Sequence, residues 1–308
     1  MMTGKSYLSI DIGGTRLKYA LIDRSGNIIS KGHKQTPHEL ENFLDTMDEL
    51  IEPHQESLHG IAISSPGKVD TDEGVIYFGG SLPMLHELNL PKYIKDKFDL
   101  KSSVINDGKA AALAELWRGN LQGIDNGAAI ILGTGVGGGL ILEGKLLKGQ
   151  HFQAGELSFQ LATGTTKNRD MSNFIGFEGS AVKMIERCAT VLCLEDRTDG
   201  QIVFEYLKQN NGAIYPIFQD YCRVIAELIY NVQAVIDVER YVIGGGISAQ
   251  KILVDEIKEQ YRLLREGNEF LMFMTTMPEI EPCAFRNEAN LLGALYQFLL
   301  NEEGNFKS

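Results

Sequence analysis

The sequence predicts an α/β protein made of two lobes that share one order of strands and helices. Two observations carry this prediction. A glycine-rich stretch at Asp11–Lys18 follows an apolar run and precedes another, and a second such stretch lies at Gly133–Gly139. After each stretch the chain starts a new progression from β-like runs to helical periodicity, which is typical of a duplicated α/β domain. The alternative is coincidence between two hairpins punctuated by glycine.

The first lobe opens with three β-like runs joined by glycine turns, a pattern typical of hairpins. Helical spacing follows between Leu40 and Leu50, and a strand at Gly60–Ser65 ends in Pro66-Gly67. A further strand and an alanine-rich helix complete this lobe. The three opening runs are Tyr7–Ile12, Leu17–Asp23 and Ile28–Gly32, and the closing pair is Ser102–Asn106 and Gly108–Trp117.

The second lobe repeats the opening hairpins and then becomes mainly helical, because its apolar residues recur at three- and four-residue spacing. Its predicted strands are Ala128–Leu132, Gly139–Leu142, Lys145–Leu147 and Tyr241–Ile243, and its predicted helices are Ile214–Asp237, Ser248–Leu264 and Asn287–Leu300. Glycines cluster between Arg118 and Asn126, which places the domain boundary there. We therefore predict domains at residues 1–118 and 119–308, with the last helix, about 287–302, packing back on the first.

Composition argues against several classes of protein. The net charge is −12 and no dense run of Lys or Arg occurs, so no nucleic-acid partner is expected. The N-terminus has no signal-peptide pattern, and Gly133–Gly139 interrupts the longest apolar run, so no membrane association is expected. The four cysteines form no CxxC pair and are expected to be reduced and buried. We therefore expect a cytoplasmic protein.

The paired glycine-rich turns indicate a nucleotide site in two halves. Small residues let backbone N–H groups close on an anion, and two such turns can hold a polyphosphate. The string Gly133-x-Gly135-x-x-Gly138 fits the dinucleotide fingerprint, which needs a helix directly afterwards, but Leu140–Leu142 is strand-like. Gly139–Lys145 fails as a P-loop because Leu146 stands where Ser or Thr is needed.

Six short motifs cover essentially the whole chain: Asp11–Lys18, Ser65–Gly67, Asn106–Ala112, Gly133–Gly139, Ala154–Glu156 and Gly244–Gly246. In this order and spacing they resemble the ROK family of sugar kinases and related repressors. The resemblance implies a duplicated actin-like ATPase fold, of the ribonuclease H-like and hexokinase type, with two lobes around a cleft. It also implies transfer of the γ-phosphoryl group of ATP to a sugar hydroxyl, most often at C6. The repressors carry an N-terminal helix-turn-helix, whereas the first motif here begins at Asp11, so an enzyme is expected.

The resemblance assigns roles to five residues around the sugar. Asp107 is implied as the general base that accepts the hydroxyl proton, although an Asp at this position also suits an N-cap of the following helix. Asn106, Gly67, Glu156 and Glu178 are implied as sugar-binding residues, since carboxylate oxygens accept hydrogen bonds from hydroxyl groups. Glu156 could otherwise be a solvated loop charge.

The resemblance also implies that ATP and Mg²⁺ bind at the glycine-rich turns. Asp11 offers the hard oxygen ligand that suits Mg²⁺, and Arg16 or Lys18 would add positive charge unless they are simply exposed on a strand. Gly244–Gly246 would admit the adenosine, a role compatible with a tight strand-to-helix turn. The residues implied in ATP binding are Asp11, Gly13, Gly14, Thr15, Lys18, Gly133, Thr134, Gly135, Gly245 and Gly246.

One feature of many ROK proteins is missing. They bind a structural zinc with a His, three residues after the Glu of Ala-Gly-Glu, and three cysteines; the corresponding positions here are Phe159, Arg169, Met171 and Gly176. Zinc needs Cys or His ligands, so no zinc is expected, and Leu161–Asn173 must be held by packing and hydrogen bonds. Phe159 could stack on a sugar or an aglycone, which suggests tolerance of a substituted hexose such as a β-glucoside.

Three functions stay open on the sequence alone. The first is an ATP-dependent kinase that closes over a hexose, an amino sugar or a β-glucoside, and the second is a non-catalytic sugar sensor. The third is another enzyme on this fold, such as an acetate-type kinase or an ATPase. Asp11, Asp107 and both glycine turns favour an enzyme, while Asn106 and Glu156 in their motifs favour a sugar acceptor. The family resemblance further implies a homodimer, and the sequence identifies neither the sugar nor its anomer.

Overall fold

The chain folds into two compact units, each built on a five-stranded sheet. The computed structural model describes residues 6–162 and 170–305. Unit 1 comprises Met1–Trp117, Leu146–Ala154 and Asn287–Ser308, and unit 2 comprises Arg118–Lys145 and Gly155–Arg286. This division differs from a single boundary after residue 118, because a short central segment returns to unit 1. The C-terminal helix, which was predicted to pack back on the first domain, also belongs to unit 1.

Unit 1 contains a mixed sheet in the strand order β3-β2-β1-β4-β8. Strand β1 is antiparallel to β2 and parallel to β4, and β4 is parallel to β8. The elements in chain order are β1 (Ser6–Ile12), β2 (Arg16–Ile22), β3 (Ile28–Gln35), α1 (Leu40–Ile51), β4 (Leu58–Ser65), β5 (Lys68–Asp70), β6 (Val75–Tyr77), β7 (Leu88–Asn89), α2 (Leu90–Phe98), β8 (Ser102–Asn106) and α3 (Asp107–Arg118).

Unit 2 repeats this architecture in the strand order β11-β10-β9-β12-β13. Strand β9 is antiparallel to β10 and parallel to β12, which is parallel to β13. The elements that follow α3 are β9 (Gly127–Leu132), β10 (Val136–Leu142), β11 (Lys145–Leu146), α4 (Ile175–Glu178), α5 (Ala181–Val191), α6 (Gly200–Lys208), α7 (Tyr215–Ile236), β12 (Arg240–Gly245), α8 (Lys251–Glu266), α9 (Glu269–Met274), β13 (Glu279–Pro282) and, in unit 1, α10 (Ala289–Asn305). The shared order confirms the predicted duplication.

The core of unit 1 follows from alternation along β1. Leu8, Ile10 and Ile12 point to one face, where they join a buried cluster with Phe43 and Met47 of α1. Burial of these side chains supplies the main stabilising free energy of the unit, at about 25 cal/mol for each Å² of apolar surface. Alternate positions of β1 point to the opposite face of the sheet, and α10 packs there against β1, β4 and β8.

Close backbone contacts fix the position of α10. Ser9 Oγ on β1 donates a hydrogen bond to the carbonyl oxygen of Leu291 at 2.6 Å. A Cβ at Gly293 would lie 1.7 Å from the carbonyl oxygen of Ala110 on α3, so only glycine allows this approach of the two helices. The rings of Trp117 and Tyr296 stack with centroids 5.1 Å apart. The C-terminal helix is therefore an integral part of unit 1.

Two side chains hold the segment Leu146–Ala154 in unit 1. Lys109, which is buried on α3, donates from Nζ to the carbonyl oxygen of Phe152 at 2.6 Å. Lys148 Nζ lies 2.9 Å from Asp72 Oδ1, in the turn between β5 and β6. The sequence pattern did not predict this return, because the contacts join residues that are distant in the chain.

Several elements differ from the sequence-based prediction. Strand β10 begins at Val136, three residues earlier than predicted, and it contains glycines because the chain is crowded there. A Cβ at Gly138 would lie 2.8 Å from the carbonyl oxygen of Ala129 on the paired strand. The small sheet β5-β6-β7 and the helices α2, α5 and α6, which have 9 to 11 residues each, were not delimited from sequence.

The cysteines match the expectation of burial only in part. No disulfide joins the four cysteines, all of which lie in the described part of the chain. Cys188 and Cys222 are buried, whereas the expectation of burial was wrong for the exposed Cys193 and the half-buried Cys283. Burial raises the pKa of the Cys188 thiol to about 11.

Across residues 6–162 and 170–305, no helix combines the length and the apolar character that a bilayer crossing requires.

Candidate active site

Asp11 lies near the carboxyl end of β1 and is almost fully buried, with 5% of its surface exposed. Its Oδ2 lies 3.2 Å from Nζ of Lys18, the residue opposite it on β2. Its Oδ1 accepts a hydrogen bond from Nδ2 of Asn290 on α10 at 3.0 Å. Lys18 therefore neutralises the carboxylate of Asp11, and Asn290 fixes its orientation; Asn290 was not identified from the sequence.

The first glycine turn joins β1 to β2 and is held from outside by Thr36. The N–H of Gly13 donates to the carbonyl oxygen of Arg16 at 3.1 Å, which closes the turn. The hydroxyl of Thr36, which is 2% exposed, donates to the carbonyl oxygen of Gly13 at 2.7 Å. A Cβ at Gly14 would lie 2.4 Å from Oγ of Ser81, so a side chain at this position would require a shift. The surface of the turn is therefore formed by backbone atoms and by the exposed side chain of Thr15.

Asn106 and Asp107 form a corner where β8 passes into α3. Asn106 is the N-cap of the helix, because its Oδ1 accepts from the N–H of Lys109 at 3.2 Å. The N-cap alternative considered for Asp107 is therefore wrong: Asp107 is the first helical residue. Asp107 Oδ1 accepts from the N–H of Gly108 at 2.7 Å and from Nδ2 of Asn106 at 3.0 Å. Asp107 is partly exposed and does not point into the core.

Gly67 completes this corner. Its carbonyl oxygen accepts the second hydrogen bond of the Asn106 amide, at 2.9 Å from Nδ2. Gly67 has a φ of +89°, and a Cβ there would lie 2.2 Å from the carbonyl oxygen of Phe78. Both donor hydrogens of the Asn106 amide are used within the protein, since an Asn side chain has two. Gly67 and Asn106 are therefore structural parts of the corner that presents Asp107.

The sheet of unit 1 brings Asp11 and the Asn106–Asp107 corner to the same edge. Asp11 is level with Ser64 on β4, and Ser64 is level with Ile105 on β8. The three strands are parallel, so their carboxyl ends meet at one edge of the sheet, and two strand spacings of about 4.8 Å separate β1 from β8 by about 10 Å. The fold thus collects residues that are nearly a hundred positions apart in the chain.

The second glycine turn, in unit 2, is confined to Gly133–Gly135 and is anchored to the start of α5. The N–H of Ala181 donates to the carbonyl oxygen of Gly133 at 3.0 Å. Ser158 Oγ accepts from the N–H of Val136 at 2.9 Å, and a Cβ at Gly135 would lie 2.8 Å from that oxygen. Thr134 at the tip is exposed. Small residues and a helix N-terminus together suit a phosphate group.

The third glycine motif, Gly244–Gly246, begins within the last residues of β12, which is parallel to β9. Gly245 has a φ of +97°, and a Cβ there would lie 2.0 Å from the carbonyl oxygen of Leu132. Its own carbonyl oxygen accepts hydrogen bonds from the N–H and the hydroxyl of Ser248, at 3.1 Å and 2.8 Å. Gly246 has no heavy atom within 4 Å of a Cβ position. Gly245 and the second glycine turn therefore share one edge of the unit 2 sheet.

Glu156 and Glu178 lie in two adjoining segments of unit 2. Glu156 is half-buried, and the preceding Gly155 has a φ of +82°. Glu178 is exposed at the end of α4. The segments touch where a Cβ at Gly176 would lie 2.9 Å from Cβ of Ser158. The two segments that carry Glu156 and Glu178 therefore adjoin in unit 2.

Three of the four positions that correspond to the zinc ligands lie around a short antiparallel bridge. Leu161 pairs with Phe174, the N–H of Ala162 donates to the carbonyl oxygen of Asn173 at 2.8 Å, and the N–H of Ile175 donates to that of Gln160 at 2.8 Å. Phe159, Met171 and Gly176 belong to this region, and Phe159 is 66% exposed. The fourth position, Arg169, lies outside the described residues. Backbone hydrogen bonds therefore hold the ends of the segment.

The residues at the edge of unit 1 fit a magnesium ion that comes with a polyphosphate. Asp11 offers a carboxylate beside the first glycine turn, and Mg²⁺ commonly takes one or two carboxylates and fills its other positions with phosphate and water oxygens. Within the described part of the chain, no group of three or more His, Cys, Asp or Glu side chains could hold a metal ion by itself. Asp11 would thus be one ligand among several from substrate and solvent.

Comparison with known proteins decides the family. The model of the ROK family matches residues 7–300. The chain belongs to the ROK family. This confirms the membership that the order of the six motifs predicted, and it confirms the duplicated α/β fold of actin-like ATPases.

Curated relatives and a solved structure resemble this ROK protein over nearly its full length. A beta-glucoside kinase of Listeria monocytogenes is 28% identical over 298 residues, which cover 96% of this chain and 97% of that protein. A glucokinase of Halalkalibacterium halodurans is 29% identical over 301 residues, covering 87% of this chain and 90% of that protein. A ROK family protein of Streptococcus pneumoniae TIGR4, solved in complex with sucrose, has a TM-score of 0.87 and 27% identity and covers 97% and 99% of the two chains. This ROK protein is accordingly a sugar kinase.

Proposed function

We propose that this ROK protein transfers the γ-phosphoryl group of ATP to the 6-hydroxyl group of a hexose, an amino sugar or a β-glucoside, with Asp107 as the general base. The observation that carries the proposal is that Asp11 and the Asn106–Asp107 corner lie at one edge of the unit 1 sheet, at the ends of strands β1 and β8, which are about 10 Å apart. A sugar hydroxyl and a metal-bound phosphoryl group fit within such a distance. Two curated relatives are named as a beta-glucoside kinase and a glucokinase, and these names agree with the proposed reaction.

The proposed reaction is a direct displacement at the γ-phosphorus. The sugar oxygen forms a bond to phosphorus while the bond to the β–γ bridging oxygen breaks, and ADP leaves with that electron pair. The hydroxyl proton passes to a carboxylate oxygen of Asp107. Because such a transfer depends mainly on alignment and charge stabilisation, the fixed position of the base matters more than its chemical strength.

Asn106 acts in this proposal as a positioning residue rather than as a sugar ligand. Its amide donates to Asp107 and to Gly67, and its oxygen accepts from the first turn of α3. These bonds fix the carboxylate of Asp107 against rotation. Glu156 and Glu178 then supply the acceptors for sugar hydroxyl groups, since a carboxylate accepts hydrogen bonds at both oxygens.

ATP is proposed to lie along the glycine turns, with Gly13, Gly14 and Thr15 on one part of the triphosphate. Thr134 and Gly135 would contact the other part, and Gly245 and Gly246 would admit the adenosine. Mg²⁺, held by Asp11 and by phosphate oxygens, would neutralise charge on the transferring group. Lys18 would keep the carboxylate of Asp11 from repelling the phosphates, given its contact at 3.2 Å.

The decisive test replaces Asp107 by Asn, which keeps the shape and the oxygen that accepts from the N–H of Gly108. ADP release would be followed over glucose, N-acetylglucosamine, N-acetylmannosamine, methyl β-glucoside and cellobiose. We expect Asp107→Asn to lower kcat by about 10²-fold or more, the usual contribution of a general base, with a much smaller change in sugar affinity. Near-normal turnover would reject the base.

A matched control is Asp70→Asn. Asp70 Oδ1 also accepts from backbone N–H groups, of Asp72 and Glu73, in the turn between β5 and β6. If the unmodified protein binds a sugar but releases no ADP with any member of the panel, the alternative of a sugar-sensing regulatory protein is correct. ATP hydrolysis without dependence on sugar would favour an ATPase instead.

We also propose, from the family resemblance, that the enzyme is a cytoplasmic homodimer without bound zinc. Light scattering at micromolar concentration gives the mass of the assembly, and 34.1 kDa is the mass of one chain. Metal analysis of chelator-washed protein tests the zinc prediction directly, since one zinc per chain would contradict it.

A further inference from the structure

Phe78 is exposed in a way that the packing of its own loop does not explain. The loop 78–87 joins β6 to β7, and 71% of the surface of Phe78 is open to solvent. Its φ is +52°, a left-handed conformation that disfavours a bulky side chain. Exposure of an aromatic ring and backbone strain both reduce stability, and strained residues of this kind are concentrated at functional sites.

The rest of the loop is firmly attached to unit 1. Leu82 and Leu85 are fully buried in the core cluster, which shows that the loop buries apolar side chains where it can. The N–H of Glu87 donates to the carbonyl oxygen of Ile76 at 2.8 Å, and the N–H of Gly80 donates to that of Phe78 at 2.7 Å. The ring of Phe78 is therefore held outward by a rigid loop.

The ring of Phe78 is supported on one face by His86. The two rings stack with centroids 4.6 Å apart and an interplanar angle of 23°. His86 Nδ1 also accepts from the N–H of Phe78 at 3.4 Å, and the ring of Tyr77 meets His86 edge-on at 6.3 Å. Stacked rings make one flat, rigid surface, whose outer face is that of Phe78.

The backbone of the loop that carries these rings adjoins the Asn106–Asp107 corner. The backbone of Phe78 is in van der Waals contact range of Gly67, whose Cβ position lies 2.2 Å from the carbonyl oxygen of Phe78. Gly67 in turn accepts from Asn106, which bonds Asp107. Three residues further along the loop, Ser81 borders the first glycine turn at Gly14. The loop thus reaches both the proposed base and the proposed phosphate turn within unit 1.

We propose that Phe78, backed by His86, is a stacking surface for the second ring of a glycoside substrate. The inference rests on the proposed function, in which the reacting sugar binds beside Asp107. A free hexose is enclosed when it binds, whereas the second ring of a glycoside projects outward, where a rigid and exposed aromatic face can cover its apolar side. Phe78 would then determine preference for a glycoside over the free sugar.

The test compares kcat/KM for glucose, methyl β-glucoside, phenyl β-glucoside and cellobiose in the unmodified enzyme and in Phe78→Gly. Glycine accepts the left-handed backbone, so this variant removes the ring without adding strain. We expect the ratio of kcat/KM for cellobiose or phenyl glucoside to that for glucose to fall about tenfold or more, which is typical of the loss of an apolar contact. Phe78→Tyr should retain the ratio.

Two further variants keep the test decisive. His86→Ala removes the supporting ring and should lower the same ratio by a smaller factor, while Phe273→Ala removes a ring that is 88% exposed on α9 in unit 2 and should leave the ratio unchanged. If all sugars lose activity equally in Phe78→Gly, or the ratio stays constant, or the unmodified enzyme accepts only free sugars, the stacking surface is rejected. If the unmodified protein phosphorylates no sugar, the proposed function itself fails.

Discussion

Asn106 Nδ2 donates a hydrogen bond to Oδ1 of Asp107 at 3.0 Å, although the two residues are neighbours and Asn106 is also the N-cap of α3. One side chain therefore starts the helix and orients the carboxylate that the helix carries. The second amide hydrogen goes to Gly67. Helix start, neighbouring loop and proposed base are consequently coupled through a single amide.

The first prediction concerns Asn106→Ala. Removal of an N-cap costs about 1 kcal/mol of unfolding free energy, and the lost bond to Asp107 frees the carboxylate to rotate. Because a small displacement of a catalytic group can lower turnover by up to about 10²-fold, we expect kcat to fall about tenfold or more. Chemical denaturation and steady-state kinetics measure the two effects separately.

Asn89→Ala is the matched control for this variant. Asn89 caps α2 by accepting from the N–H of Lys92 at 2.8 Å, and its Nδ2 donates to the carbonyl oxygen of Glu73 at 2.8 Å. Asn89 thus makes the same two kinds of hydrogen bond as Asn106, one that caps a helix and one to a loop carbonyl oxygen, but neither of these bonds involves Asp107. Equal losses of stability with a loss of kcat only in Asn106→Ala would support positioning, whereas equal kcat in both variants would contradict it.

The second prediction concerns Thr36→Val, which keeps the shape of a buried side chain but removes its hydroxyl. The carbonyl oxygen of Gly13 then loses its hydrogen bond from Thr36, at a cost of about 1–3 kcal/mol, and the first glycine turn loses its clamp. We expect KM for MgATP to rise several-fold. Thr46→Val is the control, because the Thr46 hydroxyl bonds Asn42 on an exposed helix face. An unchanged KM for MgATP in Thr36→Val would show that the hydrogen bond from Thr36 to this turn does not contribute to nucleotide binding.

The third prediction concerns Gly245→Ala. A methyl group 2.0 Å from the carbonyl oxygen of Leu132, at a φ of +97°, forces the strand or the turn to move. We expect a loss of about 3 kcal/mol or more in unfolding free energy, because steric overlap and an unfavourable φ act together. Gly212→Ala, where a Cβ meets nothing within 4 Å, should change stability little. Thermal unfolding of both variants gives the answer, and similar melting temperatures would show that the turn adapts.

Residues at strand ends were predictable from the sequence, whereas the residues that orient them were not. Asp11 and Asn106–Asp107 each follow an apolar run of β type, so their place at a sheet edge follows from the pattern. Asn290 contacts Asp11 across 279 positions of the chain, and Thr36 reaches Gly13 across 23. Single residues that act through such long-range contacts leave no local pattern.

Other differences arose from glycines and short elements. The glycines of β10 were interpreted as part of a turn, but Gly138 is required because the chain approaches it closely within the sheet. Helix α2 did carry a usable signal, since Asn89 stands before Leu90-Pro91 and proline is favoured in the first helical turn. The loop 78–87 has no periodicity at all, so its rigid attachment through Leu82 and Leu85 was visible only in three dimensions.

The fourth prediction concerns alkaline pH and the buried tyrosines of unit 2. Burial, with a contribution from Tyr261, raises the pKa of Tyr241 far above its usual value, and burial raises the pKa of Tyr261 to about 12. Among the described contacts, neither hydroxyl has a hydrogen-bond partner. In the unfolded chain a tyrosine ionises near pH 10. Stability is therefore complete below about pH 10 and declines as the pH rises further, by up to about 1.4 kcal/mol per pH unit for each such group.

Tyr241→Phe isolates this effect, because it removes an unpaired buried hydroxyl and leaves the ring. At pH 7 we expect little change or a small gain in stability, since no hydrogen bond is lost. At pH 11 the variant should be more stable than the unmodified protein, because one fewer group ionises on unfolding. Tyr206→Phe, at a position that is 38% exposed, should show no such gain in stability at pH 11. Denaturation by urea at both pH values measures the difference, and parallel decline of all three proteins would mean that Tyr241 ionises without unfolding.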